Sequence, residues 1–230
     1  MYLSINNLNK LKNLNNSKVE YKKSTGTALE RVATLINTKF KNKCGIVYCI
    51  SRKECETTSE YLQKSKIKAL PYHAGMEDEK RIEIQESWMN DRHCKVVCAT
   101  IAFGMGIDKS DVRFVFHLGL PKSLEGYYQE SGRAGRDGQS SLCMLFYNNG
   151  DRTKWLSIMK RNEESQPKGS DEVMKTHTEN LYKMNQYCDN RLDCRRSQIL
   201  DYFGEHFNRR KCIKSKMGNN LFIIYLLVVW

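Results

Sequence analysis

Four nearly unbroken apolar runs, CGIVYCI at 44–50, KVVCAT at 95–100, RFVFHLG at 113–119 and SLCMLFY at 141–147, dominate the pattern of the chain. A strand with one wet face alternates apolar and polar residues, so runs like these belong to strands buried on both sides. The stretches between them have the length and spacing of helices. TALERVATLINTKF, 27–40, carries Leu29, Val32, Ala33, Leu35 and Ile36 at helical intervals. Ser51 followed by Glu54 is a capping-box signature for a helix over 51–64. KALPYH supplies an extended segment, and Glu77 to Met89 and Leu124 to Ser131 read as further helices. Buried strands alternating with helices pair in parallel and are covered on both faces, which predicts an open, doubly wound α/β sheet.

The flanks differ from this middle. Residues 1–24 are mostly Asn, Lys and Ser with scattered Leu, too little apolar surface to pack, and are expected to form a loose arm up to about residue 26. Trp155 to Arg161 reads as a helix, and the polar EESQPKGSDE after it reads as a linker with a boundary near 164–172. Glu172 to Tyr187 and Arg195 to Phe203 look helical and no strand follows, which predicts a small helical subdomain. The expected divisions are therefore 1–26, a main lobe over 27–163, linker and subdomain over 164–212, and a divergent tail over 213–230.

Lys and Arg number 38 against 26 Asp and Glu, a formal net charge of +12, which favours a polyanionic partner such as nucleic acid or an anionic membrane surface. MYLSINNLNKLK at the N-terminus has no apolar core of a secretory signal, so the nine cysteines read as intracellular thiols rather than a disulfide framework. Cys44, Cys49, Cys94, Cys98 and Cys143 lie in or beside the strand runs, where thiols pack as small hydrophobes. LFIIYLLVVW, 221–230, is half of the roughly 20 residues that cross a bilayer, so no membrane span is expected.

In an open parallel sheet, function sits on the loops that leave the carboxyl ends of the strands. Here those loops carry Ser51 and Arg52, then His73, Ala74 and Gly75, then Thr100 leading into AFGMGIDKSDV. Hydroxyls, backbone N–H groups and positive charge at helix starts are what hold phosphate without reading sequence, although Ser51 serves equally as an N-cap and His73 as a turn residue. AFGMGIDK lacks the third glycine and the acidic strand-end residue of a dinucleotide fingerprint. No G-x-x-x-x-G-K-[ST] occurs, so the chain has no loop that cradles the β and γ phosphates of a nucleotide. Arg133 and Arg136, in YYQESGRAGRDG at 127–138, lie three residues apart among small residues that let a phosphate approach. An arginine supplied from a second domain accelerates phosphoryl transfer by roughly 10³ to 10⁵. Such an arginine completes another lobe's nucleotide site and needs no P-loop of its own.

ATIAFGMGIDKSDVRFVFH followed by LPKSLEGYYQESGRAGRDG closely resembles the second motor lobe of RecQ-type DNA helicases, and IVYCISRKECE and YHAGM match earlier motifs of that family in order. The resemblance runs from about residue 43 to 212. DEAD-box RNA helicases share the architecture, but their motif opens with His where this chain has Gln129. The resemblance implies a RecA-like lobe of a superfamily 2 enzyme that unwinds duplex DNA with 3′ to 5′ polarity in recombination, repair and replication. It implies that Arg136 is the arginine finger, Arg133 its phosphate-contacting companion and Gln129 the opening residue of the motif. Gly106 and Asp108 fall where the family approaches the nucleotide ribose, and Ser51, Arg52, His73 and Thr100 where it grips the translocating strand. ATP and Mg²⁺ are then held mainly by a first lobe absent from this chain, so the chain alone is expected to be inactive. The implied partners are single-stranded DNA and duplex junctions, and the implied place is the nucleus. A non-catalytic nucleic-acid-binding module is the alternative reading.

The resemblance also implies a zinc-binding subdomain with ligands at Cys194 and Cys212. The C-x-x-C pair expected next is replaced by IKSKMGNN, with Lys216 and Asn219 near its positions. Structural zinc takes four soft ligands, and lysine offers none at neutral pH. The zinc site is incomplete, leaving free thiols or weak binding with Cys188 or His206 recruited as open alternatives. The abrupt end of the resemblance after Cys212 is expected to mark a misread exon junction or a truncation, and the basic cluster near 209–216 to face solvent or DNA.

Overall fold

The computed structural model describes residues 17–90, 93–103, 107–163 and 171–205. Strand β1 (Ser17–Tyr21) leads into α1 (Thr25–Lys39), β2 (Gly45–Tyr48), α2 (Arg52–Lys64), β3 (Ala69–Tyr72), α3 (Asp78–Met89) and β4 (Val96–Ala99). Then follow β5 (Phe114–His117), α4 (Leu124–Ser131), β6 (Leu142–Tyr147), α5 (Asn149–Glu163), α6 (Asp171–Asp189) and α7 (Arg195–Tyr202). The strands form one sheet in the order β1-β6-β5-β2-β4-β3, and every neighbouring pair is parallel.

Because successive residues of a strand point to opposite faces, each apolar run feeds two cores. Val47, Cys98, Phe114 and Phe116 face α1 and α2, meeting Val32, Ile36, Cys55 and Leu62. Ile46, Tyr48, Val97 and Val115 face the other way, against Trp88 of α3 and against Phe103 and Ile107. The strand-associated thiols Cys44, Cys49, Cys94, Cys98 and Cys143 are all buried, and burial pushes the Cys94 and Cys143 thiols up to about 12. They are packing groups.

The expected loose arm ends earlier than its composition suggests. Residues 17–21 pair along β6 as an edge strand, and Lys22 is buried. Its Nζ lies 2.8 Å from Asp151 Oδ1, with the two side chains 2% and 7% exposed. Nζ also donates to the Leu118 carbonyl. Polar composition hid this, because the segment is held by long-range partners: the ion pair, the backbone ladder along β6, Val19 packed on the buried cluster and Tyr21 against Tyr147. At Ser51 the capping box is half formed. Ser51 Oγ accepts from Glu54 N, but Glu54 Oε2 takes the Ile50 N–H at 2.8 Å and Lys154 Nζ at 3.1 Å. The full reciprocal box sits instead at Ser24 and Thr27, ahead of α1.

The helices beyond 171 are not a separate core. Met184, Tyr187, Ile199 and Leu200 join Tyr127, Leu145, Tyr147 and Trp155 in one buried cluster. Tyr127 and Tyr187 rings lie 5.6 Å apart, and Tyr147 Oη donates to Asp189 Oδ1 at 2.8 Å. The proposed boundary near 164–172 falls largely outside the described residues, as does the tail over 213–230. No helix among the described residues is long and apolar enough to cross a membrane.

Candidate functional site

Strands β2, β4 and β3 are neighbours, so the loops leaving their carboxyl ends bring Ser51, Thr100 and His73 to one sheet edge. Ser51 caps α2 and is half-buried, and Thr100 is half-buried with its N–H 3.3 Å from the Tyr72 carbonyl. Arg52 is exposed, and its side chain lies over Gly75. A Cβ on Gly75 would stand 2.8 Å from Arg52 Nη1, so glycine there is what lets the HAG turn and the arginine share one surface. His73 turns inward: it is buried, with Nε2 3.3 Å from Glu56 Oε1. Of the four strand-end residues, Arg52 presents full charge to solvent and His73 holds the turn.

The connection from β2 runs over one face of the sheet through α2, and the connection from β5 runs over the other through α4. The crevice between β2 and β5 is therefore the topological switch point, the place where open α/β sheets bind ligands. Tyr48 and His117, paired in register at those two strand ends, stack with ring centroids 5.0 Å apart. His117 Nε2 lies 2.9 Å from Glu130 Oε2. Burial pushes the Tyr48 hydroxyl well above its ordinary value, opposed by the charge of Arg133 and a hydrogen bond to it. Arg133 is half-buried, and its Nε, shielded from solvent, has no partner among the described residues.

Helix α4 stops at Ser131, and residues 132–137 are turn, so the two arginines do not share a helical face. Arg133 points to Tyr48, whereas Arg136 is exposed at the rim, its Nη1 2.5 Å from Asp108 Oδ1 and 3.4 Å from the Ile107 carbonyl. The turn depends on Gly135, whose φ of +65° is left-handed. A Cβ there would lie 2.7 Å from Ser141 Oγ and 2.8 Å from the Gln139 carbonyl. Gly135→Ala is expected to cost about 1 to 2 kcal/mol from the left-handed backbone alone. Urea denaturation checks this: an unchanged midpoint would show that the turn relaxes freely.

Gln129 is exposed on α4. Gly106 lies outside the described residues, as do Cys212, His206, Lys216 and Asn219. Cys194 is partly buried, and Cys188 is a core thiol, 1% exposed, whose burial raises its pKa. Among the described residues no group of three His, Cys, Asp or Glu side chains is placed to hold a metal ion. Those residues do not by themselves make a zinc site. The arginine pair offers more: one rim arginine rests on an exposed carboxylate and a second has an N–H without a partner among the described residues, so both have donors chemically suited to an anion.

Reading the sequence missed the buried set Tyr48, His117 and Glu130, of which Tyr48 feels the charge of Arg133. The signal was faint: a His ending the buried run FVFH, and an acid beside Gln129 on the inner face of an amphipathic helix.

The profile of the family described as Helicase conserved C-terminal domain matches residues 27–138, and that of RecQ zinc-binding matches 149–216. The chain is 52% identical over 172 residues to the RecQ-like DNA helicase BLM of Xenopus laevis, covering 74% of this chain and 12% of that protein. It is 41% identical over 203 residues to the ATP-dependent helicase SGS1 of Saccharomyces cerevisiae, covering 88% of this chain and 14% of that protein. With the ATP-dependent DNA helicase Q1 of Rattus norvegicus, identity is 44% over 192 residues, 84% of this chain and 28% of that protein. The chain thus spans well under a third of the length of these relatives. In three dimensions it resembles the Escherichia coli DEAD-box protein SrmB, with a TM-score of 0.52 at 21% identity over 57% of this chain and 76% of that one. A DEAD-box protein from Methanococcus jannaschii gives a TM-score of 0.51 at 23% identity over 64% of this chain and 39% of that one. These two similarities establish the RecA-like fold.

Proposed function

The chain belongs to the RecQ family of DNA helicases, and on that premise we propose that residues 27–163 act as the second motor lobe of an ATP-dependent enzyme unwinding duplex DNA from 3′ to 5′. The observation that carries the reading is Arg136, held at the rim on Asp108 in a lobe without a phosphate-cradling loop. A guanidinium so placed completes a nucleotide site supplied by a first lobe.

ATP with Mg²⁺, bound mainly by that first lobe, supplies the phosphoryl bond whose hydrolysis powers the cycle. This chain's own part is positioning. Arg136 leaves Asp108, which is 83% exposed, for the more concentrated charge of the γ-phosphate. A surface pair of this kind contributes about 0 to 1 kcal/mol, so the exchange meets little resistance. Arg133, supported by Tyr48, contacts phosphate beside it, and Gln129 flanks the same opening. At the strand-end edge, Ser51, Arg52 and Thr100 hold the DNA backbone while His73 fixes the turn that carries Gly75. Closure of the lobes on nucleotide and reopening after hydrolysis move the strand, because the two conformations differ in these contacts. Single-stranded DNA and duplex junctions as substrates, roles in recombination and repair, and the nucleus as location rest on family membership alone.

The test joins the chain to the first lobe of a RecQ relative in one polypeptide. The chain alone is expected to bind single-stranded DNA without hydrolysing ATP, and the joined protein to hydrolyse ATP faster when DNA is added. Robust ATP hydrolysis by the chain alone, or none by the joined protein, overturns the assignment.

A further inference from the structure

A second charged surface lies at the opposite sheet edge, away from the strand-end residues above. Lys43, Lys95 and Lys68 immediately precede or nearly precede β2, β4 and β3, three adjacent strands. Backbone bonds hold the starts of these strands together: Gly45 N–H donates to the Lys95 carbonyl at 3.0 Å, and Lys95 N–H to the Lys68 carbonyl at 2.8 Å. Lys41 and Lys66 join from the turns that end α1 and α2. Together with Asn37 these lysines line a cavity of about 300 Å³ with no carboxylate among the described residues of its wall. Asn37 Nδ2 donates to the Ser65 carbonyl at 3.1 Å and pins one turn, while Asn42 and Lys66 hold the left-handed conformation, at φ of 61° and 62°.

Lysines at helix carboxyl ends ordinarily offset the helix dipole. Two helix ends amount to about one negative charge in total, against Lys41, Lys43, Lys66 and Lys68 around this cavity. Lys41, Lys43, Lys66 and Lys68 form no ion pair among the described residues. The positive charge of these four lysines is therefore unpaired among the described residues. Lys68 and Lys95 fall in register on adjacent strands, about 4.8 Å apart at the backbone, with Lys43 one residue out of register on the next strand, a cluster that suits a closely repeated anion better than an isolated carboxylate.

We propose that this lysine-lined cavity is a second phosphate-binding surface that takes the phosphodiester backbone of a nucleic-acid strand, separate from the edge bearing Arg52 and Thr100. The proposal rests on the reading of the chain as a DNA-binding lobe and adds a contact on its far side. A strand or duplex arm leaving the motor edge then has a cationic surface to follow.

The experiment measures binding of the whole chain to a labelled single strand, long enough to reach both edges, over a series of salt concentrations. The variant carries Lys41→Gln, Lys43→Gln, Lys66→Asn and Lys68→Gln, with Asn chosen because it tolerates the left-handed backbone. Each lost phosphate contact makes the slope of log K against log salt shallower by about 0.7, so the quadruple variant is expected to lose roughly 3 units. The pairs Lys41→Gln with Lys43→Gln, and Lys66→Asn with Lys68→Gln, are each expected to lose about half of that, which separates charge loss from misfolding. A slope unchanged in folded variants overturns this inference and leaves the motor reading standing. A wild-type chain that binds no DNA overturns both. Calorimetry with tripolyphosphate distinguishes the source of phosphate: lysine-dependent binding of that anion with an unchanged DNA slope assigns the cavity to a free polyphosphate and rejects nucleic acid.

Discussion

Arg136→Ala, introduced into the chain joined to a first lobe, is expected to slow ATP hydrolysis by about 10³-fold or more. That corresponds to roughly 4 kcal/mol of transition-state stabilisation. The loss should fall on kcat, with the KM for ATP and the affinity for single-stranded DNA retained, because a finger contact is made chiefly when charge develops on the transferred phosphate. Arg136→Lys is expected to restore little, since an ammonium lacks the planar fork of donors. The folded state should not suffer, because the pair with Asp108 lies at an exposed rim. Steady-state kinetics alongside thermal melts decide the matter. Hydrolysis that survives the substitution, or falls only in step with unfolding, removes Arg136 from the site.

The second large effect is structural. Lys22→Met is expected to destabilise the lobe by about 3 to 5 kcal/mol, because it leaves Asp151 buried without its counter-charge. The Asp151 carboxylate also accepts the Leu120 and Asn148 N–H groups, at 3.2 and 3.1 Å, and cannot turn to solvent without orphaning them. Burial already holds this carboxyl above its usual range, with Lys22 the main opposing influence, so removing Lys22 raises it further. A raised pKa means that the folded state binds the proton more tightly than the unfolded chain does. Stability from this group is therefore greatest on the acid side and is lost as pH rises through the folded-state value. Urea titrations should show the gap between wild type and Lys22→Met narrowing from pH 8 towards pH 5. A gap that stays constant or widens in acid would show that the variant fails for another reason.

Much of the architecture was legible in the chain because buried parallel strands leave an unmistakable trace. CGIVYCI, KVVCAT, RFVFHLG and SLCMLFY each contain an observed strand, and Leu124–Ser131 is a helix with the expected bounds. These elements depend on local composition, which a sequence displays directly. Residues 17–22 were illegible for the opposite reason. SKVEYK carries only Val19 and Tyr21 on one strand face, too short a signal among polar residues, and its order comes from β6 and Asp151, more than a hundred residues away. The helices after 171 had readable periodicity, but nothing local revealed that their apolar faces close onto Tyr127, Tyr147 and Trp155 rather than on one another.

The site divides along the same line. Motif spacing by itself placed Arg133 and Arg136 three residues apart among small residues, excluded a P-loop in the chain, and set Ser51, His73 and Thr100 after successive strands. Those are properties of residue order. Only the tertiary structure decided that the two arginines part, Arg133 to the buried Tyr48 and Arg136 to the exposed Asp108, that His73 turns inward to Glu56, and that lysines from separate turns gather around one cavity. Side-chain direction and charge environment arise from contacts between segments far apart in the chain. Spacing along a sequence carries no record of which face of a turn meets which strand.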